Sequence, residues 1–496
     1  MESKGFDESR TYFEGLVEFL GSHEAAALTH GQLEERLSTE GRELERLLYQ
    51  DRLDLQSEKE TRIEEVTDAF GIGRGSVETG HSRALTTVFG DVEFSRMAYR
   101  RRSLANLHPA DADLNLPVER QSHGIRRLAA IESSRGSFDE AVSAIERSSG
   151  QKVGKRQVEE LTKRSAVDFE EFYAVSPSHR TKLGDAIVIS ADGKGIVMRH
   201  EALREATAKA AQDAVGKLET RLSKGEKKNR KRMAEVGSVY EVTPSPREVS
   251  DILARSDEEK DSRRPGPKAK NKWLTASVLD TTASVISSLF DQADRRDPRH
   301  RRDWVALVDG NKHQIDRIEA ESAERVIEVT VLIDFIHVLE YLWAAAWSFF
   351  AEGDRGAEAW VKDKATAVLE GKASIVAASI RRKATALALD AKRRESADKC
   401  ANYLLSKRDY LDYPTALECG WPIATGVIEG ACRHLVKDRL DLTGARWGLE
   451  GAEAVLKLRA VRSNGDFDDY WRFHLSQEHQ RVHKSRYADN LIPQAA

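Results

Sequence analysis

The spacing of apolar and polar side chains changes character several times along the chain, and each change predicts a different element. Up to about residue 75, Leu28, Leu33, Leu37, Leu44, Leu47 and Leu48 recur near helical spacing between Glu and Arg side chains. That pattern predicts an amphipathic helical hairpin, packed on its own domain or serving as a dimerisation element. Over 76–120 the period shortens. Apolar stretches at 85–89 and 92–99 flank Gly90-Asp91, the pattern of a β-hairpin, with Arg96 and Arg100 to Arg102 as its basic residues. Residues 107–117 read as a linker-like boundary in which Asp111 and Asp113 are solvated or cap a turn.

Helical spacing returns over 121–180. An amphipathic segment at 125–134 precedes Ser137-Phe138-Asp139-Glu140, the Ser-x-x-Glu form of a capping box, which opens a helix ending near Gly150. A second helix then starts at 152–157 and carries Val158, Leu161, Lys163 and Arg164. Two short helices joined by a glycine turn resemble a helix-turn-helix, with Lys155, Arg156 and Gln157 facing a DNA groove. Three-helix units without DNA share this pattern.

From 183 onward the alternation is of α/β type. Strands are expected at 186–190, 195–199, 233–242, 304–308 and 329–333, interrupted by a Glu/Ala/Lys-rich helix at 201–222. The run 224–232 after that helix contains Lys227, Lys228, Arg230, Lys231 and Arg232. It is a solvated loop or, equally, a phosphate-binding one. Further basic clusters stand at 263–272 and 299–302. Residues 352–424 look like a helical insertion. A helix carrying Glu429 follows, then a loop at 442–447 and a last amphipathic helix at 452–461. The expected organisation is therefore a catalytic core at 181–351 and 425–475, split by the insertion, with 476–496 as a tail.

Composition narrows the chemistry. A chain of 496 residues has room for two to four domains, and a formal net charge of −4 does not by itself advertise nucleic acid. The most apolar stretch, 329–351, holds Asp334, His337 and Glu340, so it predicts a buried strand and helix rather than a membrane span. No secretory signal pattern opens the chain, and a cytoplasmic location is expected. Cys400, Cys419 and Cys432 are odd in number and lack zinc spacing, as reduced thiols do.

Two apolar runs each deliver an aspartate followed by glycine: Asp192-Gly193 after 186–191 and Asp309-Gly310 after 304–308. A β-branched run does not bury a lone carboxylate cheaply, so each Asp is expected just past a strand end, in an open turn. Taken singly, either is ordinary turn chemistry, and Glu429 could simply favour a helix N-terminus. Together, the three carboxylates form a hard oxygen-donor set suited to two Mg²⁺ ions, with Mn²⁺ as a substitute.

These residues carry a family resemblance. Strand-Asp192, strand-Asp309 and helix-borne Glu429 after a helical insertion are similar in order to the ribonuclease-H-like core of DDE transposases. Asp334-Phe335-Ile336-His337 resembles the Asp/Cys-x-x-His motif of Mutator-like transposases. The stretches 89–92, 106–109, 136–138, 154–157, 190–195, 304–310 and 426–438 resemble ISKra-type insertion-sequence transposases. The resemblance implies an α/β catalytic core, a mixed sheet flanked by helices, with a helical N-terminal DNA-binding region. It implies Asp192, Asp309 and Glu429 as catalytic metal ligands, with Asp334 a rival for the second position and His337 a buried helix partner or a neighbour of the scissile phosphate. Arg433, His434, Lys437, Arg439, Arg446 and Trp447 would hold the transferred strand by phosphate contact and stacking, with core packing the preferred reading for Trp447. The expected activity is cutting at terminal inverted repeats and joining to target double-stranded DNA, by a homo-oligomer that is at least a dimer on DNA, in a bacterial cytoplasm. A nuclease without a joining step, and a DNA-binding regulator with a decayed core, are the alternatives.

Overall fold

The computed structural model describes residues 5–176, 182–213, 229–253, 263–442 and 444–495. The chain forms two compact units, Met1–Val175 with Gly465–Ala496, and Ser176–Asn464.

In the first unit the leucine-patterned segment becomes the helices Asp7–Leu20 and His30–Lys59. The second opens with a full capping box between Thr29 and Gln32. The hairpin expected around Gly90 is present as antiparallel β1 (Ser76–Thr86) and β2 (Asp91–Arg100). Its alternating apolar residues Leu85, Val92 and Phe94 bury against Leu53 of the long helix. The three helices His123–Arg135, Phe138–Ser149 and Lys155–Ser165 close over Ile125, Ala129, Ala141, Ile145, Val158 and Leu161. The Ser137–Glu140 capping box forms as the sequence predicts.

Two expectations for this unit fail. Asp111 is neither solvated nor a simple cap. It is buried at 7% exposure and pairs with Arg96 (2.7 Å) and Arg83 (3.3 Å), because a hairpin with inward-facing arginines needs a buried acid. Residues 476–496, expected as a tail, and 465–475, expected with the core, both group with the first unit. The helix Phe467–Glu478 belongs to the first unit, where it buries Tyr470, Trp471 and His474. Ring nitrogens of His123, His479 and His483 donate to the carbonyls of Asn115, Ala112 and Leu116, at 2.8, 3.0 and 2.9 Å. The stretch expected to be a linker is thus pinned along its backbone.

The second unit is mixed α/β. Strands β3 (Ala186–Val197), β4 (Lys231–Val242), β5 (Ala269–Ser277), β6 (Trp304–Val308) and β7 (Val329–Ile333) form one sheet in the order β5-β4-β3-β6-β7. β3 is antiparallel to β4 and parallel to β6, and β6 is parallel to β7. β6 is buried along its whole length, as befits a strand covered on both faces. On one face the helix Thr282–Arg296 packs so closely that a Cβ on Gly237 would stand 2.6 Å from Leu289. The other face is covered by Phe335–Ala346 and by the helical insertion Arg355–Leu369, Ala373–Ala386, Ala391–Ser406 and Tyr413–Glu418, around Val188, Val305, Leu307, Leu332 and Val338. Edge strand β5 is partly blocked by Asn464, whose amide exchanges two hydrogen bonds with the Leu274 backbone at 2.8 and 3.1 Å. Residues 329–351 form β7 and a helix, and among the described residues no helix is long and apolar enough to cross a membrane.

Candidate active site

The parallel register of β3, β6 and β7 decides where the acidic residues stand. Ile189 pairs with Ala306, and Val308 pairs with Ile333. β6 and β7 pair up to the residues just before Asp309 and Asp334, whereas β3 and β6 stop pairing three residues short of Asp192 and Asp309, all three aspartates lying towards the same end of the parallel strands. Side chains alternate along a strand, so Asp192 and Asp309 share a face with Val188, Val305 and Leu307, the face under the helical insertion.

Asp309 sits as the sequence predicts, just beyond β6. Its Oδ1 accepts the Asn311 N–H at 2.8 Å in a tight turn. Gly310 follows with φ +93°, and a Cβ there would lie 2.9 Å from the Tyr403 hydroxyl. That hydroxyl donates to the Asp309 carbonyl at 3.1 Å, so an insertion helix fixes the turn.

Asp192 does not sit past a strand end. It lies inside β3, opposite Val236, because antiparallel β4 pairs with β3 along all twelve of its residues while β6 leaves much earlier. The strands expected at 186–190 and 195–199 are therefore one. Asp192 Oδ1 accepts the Gly193 N–H at 2.6 Å, and Oδ2 accepts the Cys432 thiol at 3.3 Å. Burial first, then the Asp192 charge, pushes the Cys432 thiol well above its ordinary pKa, so it stays a neutral donor.

Cys432 lies one turn beyond Glu429, which is exposed on the helix Gly426–Ala431. The chain continues through a widened π-turn at Cys432–Lys437, a feature frequent at functional sites. The start of this helix is anchored by Asp334. Fully buried Asp334 caps the helix Phe335–Ala346 by accepting from Ile336 N–H at 2.7 Å. Its other oxygen accepts both the Thr425 N–H, at 3.0 Å, and the Thr425 hydroxyl. Thr425 in turn accepts the Glu429 N–H at 3.1 Å. Asp334 is thus fully engaged in ties that hold the Glu429 helix, whereas Asp192, Asp309 and Glu429 have no ion-pair partner among the described residues. On the opposite face of the sheet Glu235 pairs with Gly193. Burial first, with a contribution from Asp192, raises its carboxyl pKa.

The donor set of Asp192, Asp309 and Glu429 consists of oxygens alone, with lone pairs to spare, which fits a hard divalent cation. Among the described residues no three His, Cys, Asp or Glu side chains converge as a ready cage. The structure brings the residues to one face and neighbouring elements without drawing their tips together. His337 is one-third exposed and pairs with Glu340 at 3.2 Å, so it is not the buried partner.

The residues expected to hold DNA divide. Arg156, Lys437 and Arg446 are exposed, as is Arg433, which lies 3.7 Å from Asp438. Lys155 is exposed but paired with Asp139 at 2.6 Å. Gln157 does not project as a free reader, because its side-chain oxygen accepts the Gly154 N–H at 3.1 Å and closes the helix start. Arg439 and Trp447 are not a strand-holding surface either. Both are buried, with the guanidinium 4.6 Å above the indole and Trp447 Nε1 donating to Leu440. The loop at 442–447 needs this anchor, since Trp447 joins the end of β3 through Val197 and Arg199. Arg230 is exposed. Lys231 pairs with Asp441 at 3.0 Å, and Arg232 donates to the Val278 and Ala202 carbonyls. Both belong to β4 rather than a loop. Lys227 and Lys228 lie outside the described residues. The sequence reading missed Cys432, Thr425, Glu235 and Tyr403; only Cys432 carried a signal, at helical spacing from Glu429.

A scan against models of protein families finds none that matches this chain, and a search of curated proteins finds no match.

Proposed function

We propose that this chain is a DNA transposase of the DDE type, its second unit a ribonuclease-H-like catalytic core and its first unit the reader of the element's ends. The observation that carries the reading is the parallel pairing of β3 with β6, the strands that lead to Asp192 and Asp309, with the Glu429 helix tied to Asp192 by Cys432 and to Asp334 through Thr425. Asp192, Asp309 and Glu429 would hold two Mg²⁺ ions, or Mn²⁺, which when bound supply Lewis-acid activation of the attacking oxygen and charge stabilisation for the leaving one. The chain's own contribution is orientation. Cys432 fixes one oxygen of Asp192, Asn311 fixes one of Asp309, and Thr425 sets the helix phase of Glu429. Exposed Arg433, Lys437 and Arg446 lie along the helix and loop beyond Glu429 and suit backbone phosphates. In the first unit, Arg156 at the start of the Lys155–Ser165 helix is the exposed cation best placed for groove or phosphate contact. Two DNA ends must be joined to one target, so a homo-oligomer, at least a dimer, is part of the proposal, working on nucleoid DNA in a bacterial cytoplasm.

Incubation with a labelled duplex from the DNA flanking the reading frame, with Mg²⁺, tests it. Strand-transfer products are expected. Cleavage without joining would replace the reading by a nuclease, and binding alone by a regulator.

A further inference from the structure

The helical insertion does more than close the core, because it brings an aromatic stack to the turn that carries Asp309. Tyr341 and Tyr403 lie ring on ring, with centroids 3.9 Å apart and planes 14° from parallel. Tyr403 comes from Ala391–Ser406 and is locked by its hydroxyl to the Asp309 carbonyl at 3.1 Å. Asp309 and Asp334 both contribute to raising the Tyr403 pKa, after burial and Tyr341 itself, so the stack stands within electrostatic reach of both carboxylates. Tyr341 comes from Phe335–Ala346 and remains 37% exposed. His337, one turn earlier, is one-third exposed as well. A pair serving only to staple two helices would bury both rings. Here the ring beneath is held by its hydroxyl and the residue on top stays 37% exposed.

We propose that Tyr341, backed by Tyr403, is a stacking platform for an unpaired nucleobase of the DNA strand being cut. A rigid, apolar and flat surface next to a site for phosphodiester chemistry matches the π-face that every base presents, and stacking tolerates any sequence. The platform would hold the nucleotide beside the scissile phosphate, so it is a positioning device and takes no part in bond breaking. It rests on the transposase reading for its substrate class, and its test does not require cleavage.

The probe is a duplex with an eight-nucleotide single-stranded extension carrying 2-aminopurine at successive positions, titrated with the full-length chain in Ca²⁺ and low salt. Stacking on tyrosine quenches this base. Quenching at one or two positions is expected, and it should be kept in Tyr341→Phe. Tyr341→Leu keeps the apolar contact with Tyr403 and should lose the quenching, with binding weakened about tenfold and thermal unfolding unaltered. Quenching retained in Tyr341→Leu, or absent at every position in the unaltered chain, overturns the proposal. If the platform works while Mg²⁺ supports no cleavage, the catalytic reading fails and the base-binding site stands.

Discussion

Among individual residues, the contrast between Asp309 and Asp334 is the sharpest. Both follow parallel strands, yet Asp334 is surrounded by donors and Asp309 keeps lone pairs free. Asp309→Asn preserves the side-chain oxygen that accepts from Asn311, so thermal unfolding should be unchanged. The charge needed to hold a cation is lost, and cleavage should fall on the order of 10³-fold. Asp334→Ala removes the acceptor of three hydrogen bonds and strands the Thr425 donors in the interior, at a cost of about 3 kcal/mol. Its activity should fall together with the melting temperature. Calorimetry beside a Mg²⁺ cleavage assay separates the two. A stable but inactive Asp334→Ala with an active Asp309→Asn would move the second metal ligand to Asp334. Sequence ranks Asp309 first because Gly310 opens its turn while Asp334 leads into an apolar helix, but both end an apolar run and the donors around Asp334 are not legible there. What separates them is Thr425, a residue remote in sequence.

At the level of elements, local signals were readable and partner-dependent ones were not. The Ser137–Glu140 capping box depends on four neighbouring residues, and it forms as expected; Ser137→Ala should destabilise the first unit by about 1 kcal/mol in urea unfolding. β3 shows the opposite case. Its length is set by β4, some forty residues downstream, so Gly193 reads as a turn signal between two strands although it lies in the ladder. The 107–117 stretch was misread for a similar reason, because its backbone is satisfied by histidines 360 or more residues away as well as by nearby His123. The buried histidines of the first unit imply a pH response. Burial holds His108 and His123 at about 4, below their ordinary 6.5, and lowers His483 as well. Between those values the unfolded chain binds more protons than the folded one. The first unit should therefore hold full stability above pH 6.5 and lose it as pH falls towards 4, by on the order of 1 kcal/mol per pH unit for each histidine. Denaturant unfolding at pH 7.5 and pH 5 measures this. His123→Asn should flatten the dependence, and a midpoint that rises on acidification would refute it.

For the whole molecule, the return of the C-terminus to the first unit has the largest consequence. Arg126 lies on the His123–Arg135 helix with no exposure, and its guanidinium is shared among Glu119, Glu478 and His474. His474 and Arg481 also hold buried Asp168, at 2.6 and 2.9 Å. Two of the three partners of a buried cation thus come from beyond residue 464. Buried Asp168 would lose both His474 and Arg481, and a charge left without its partner in the interior costs about 3–5 kcal/mol, a large share of the stability of a domain this size. Ending the chain after Asn464 should therefore unfold the helices that carry Arg156 and spare the sheet that carries Asp192 and Asp309. Hydrogen exchange on the truncated chain should show protection lost across 108–135 and 155–165 and kept in β3, β4 and β6. Affinity for the terminal-repeat duplex should disappear with it. Cleavage of an unspecific single-stranded DNA in Mg²⁺ should survive, because none of the carboxylates or their anchors lies beyond 464. Loss of β3 and β6 protection in the truncated chain would show that the second unit needs the C-terminal segment after all.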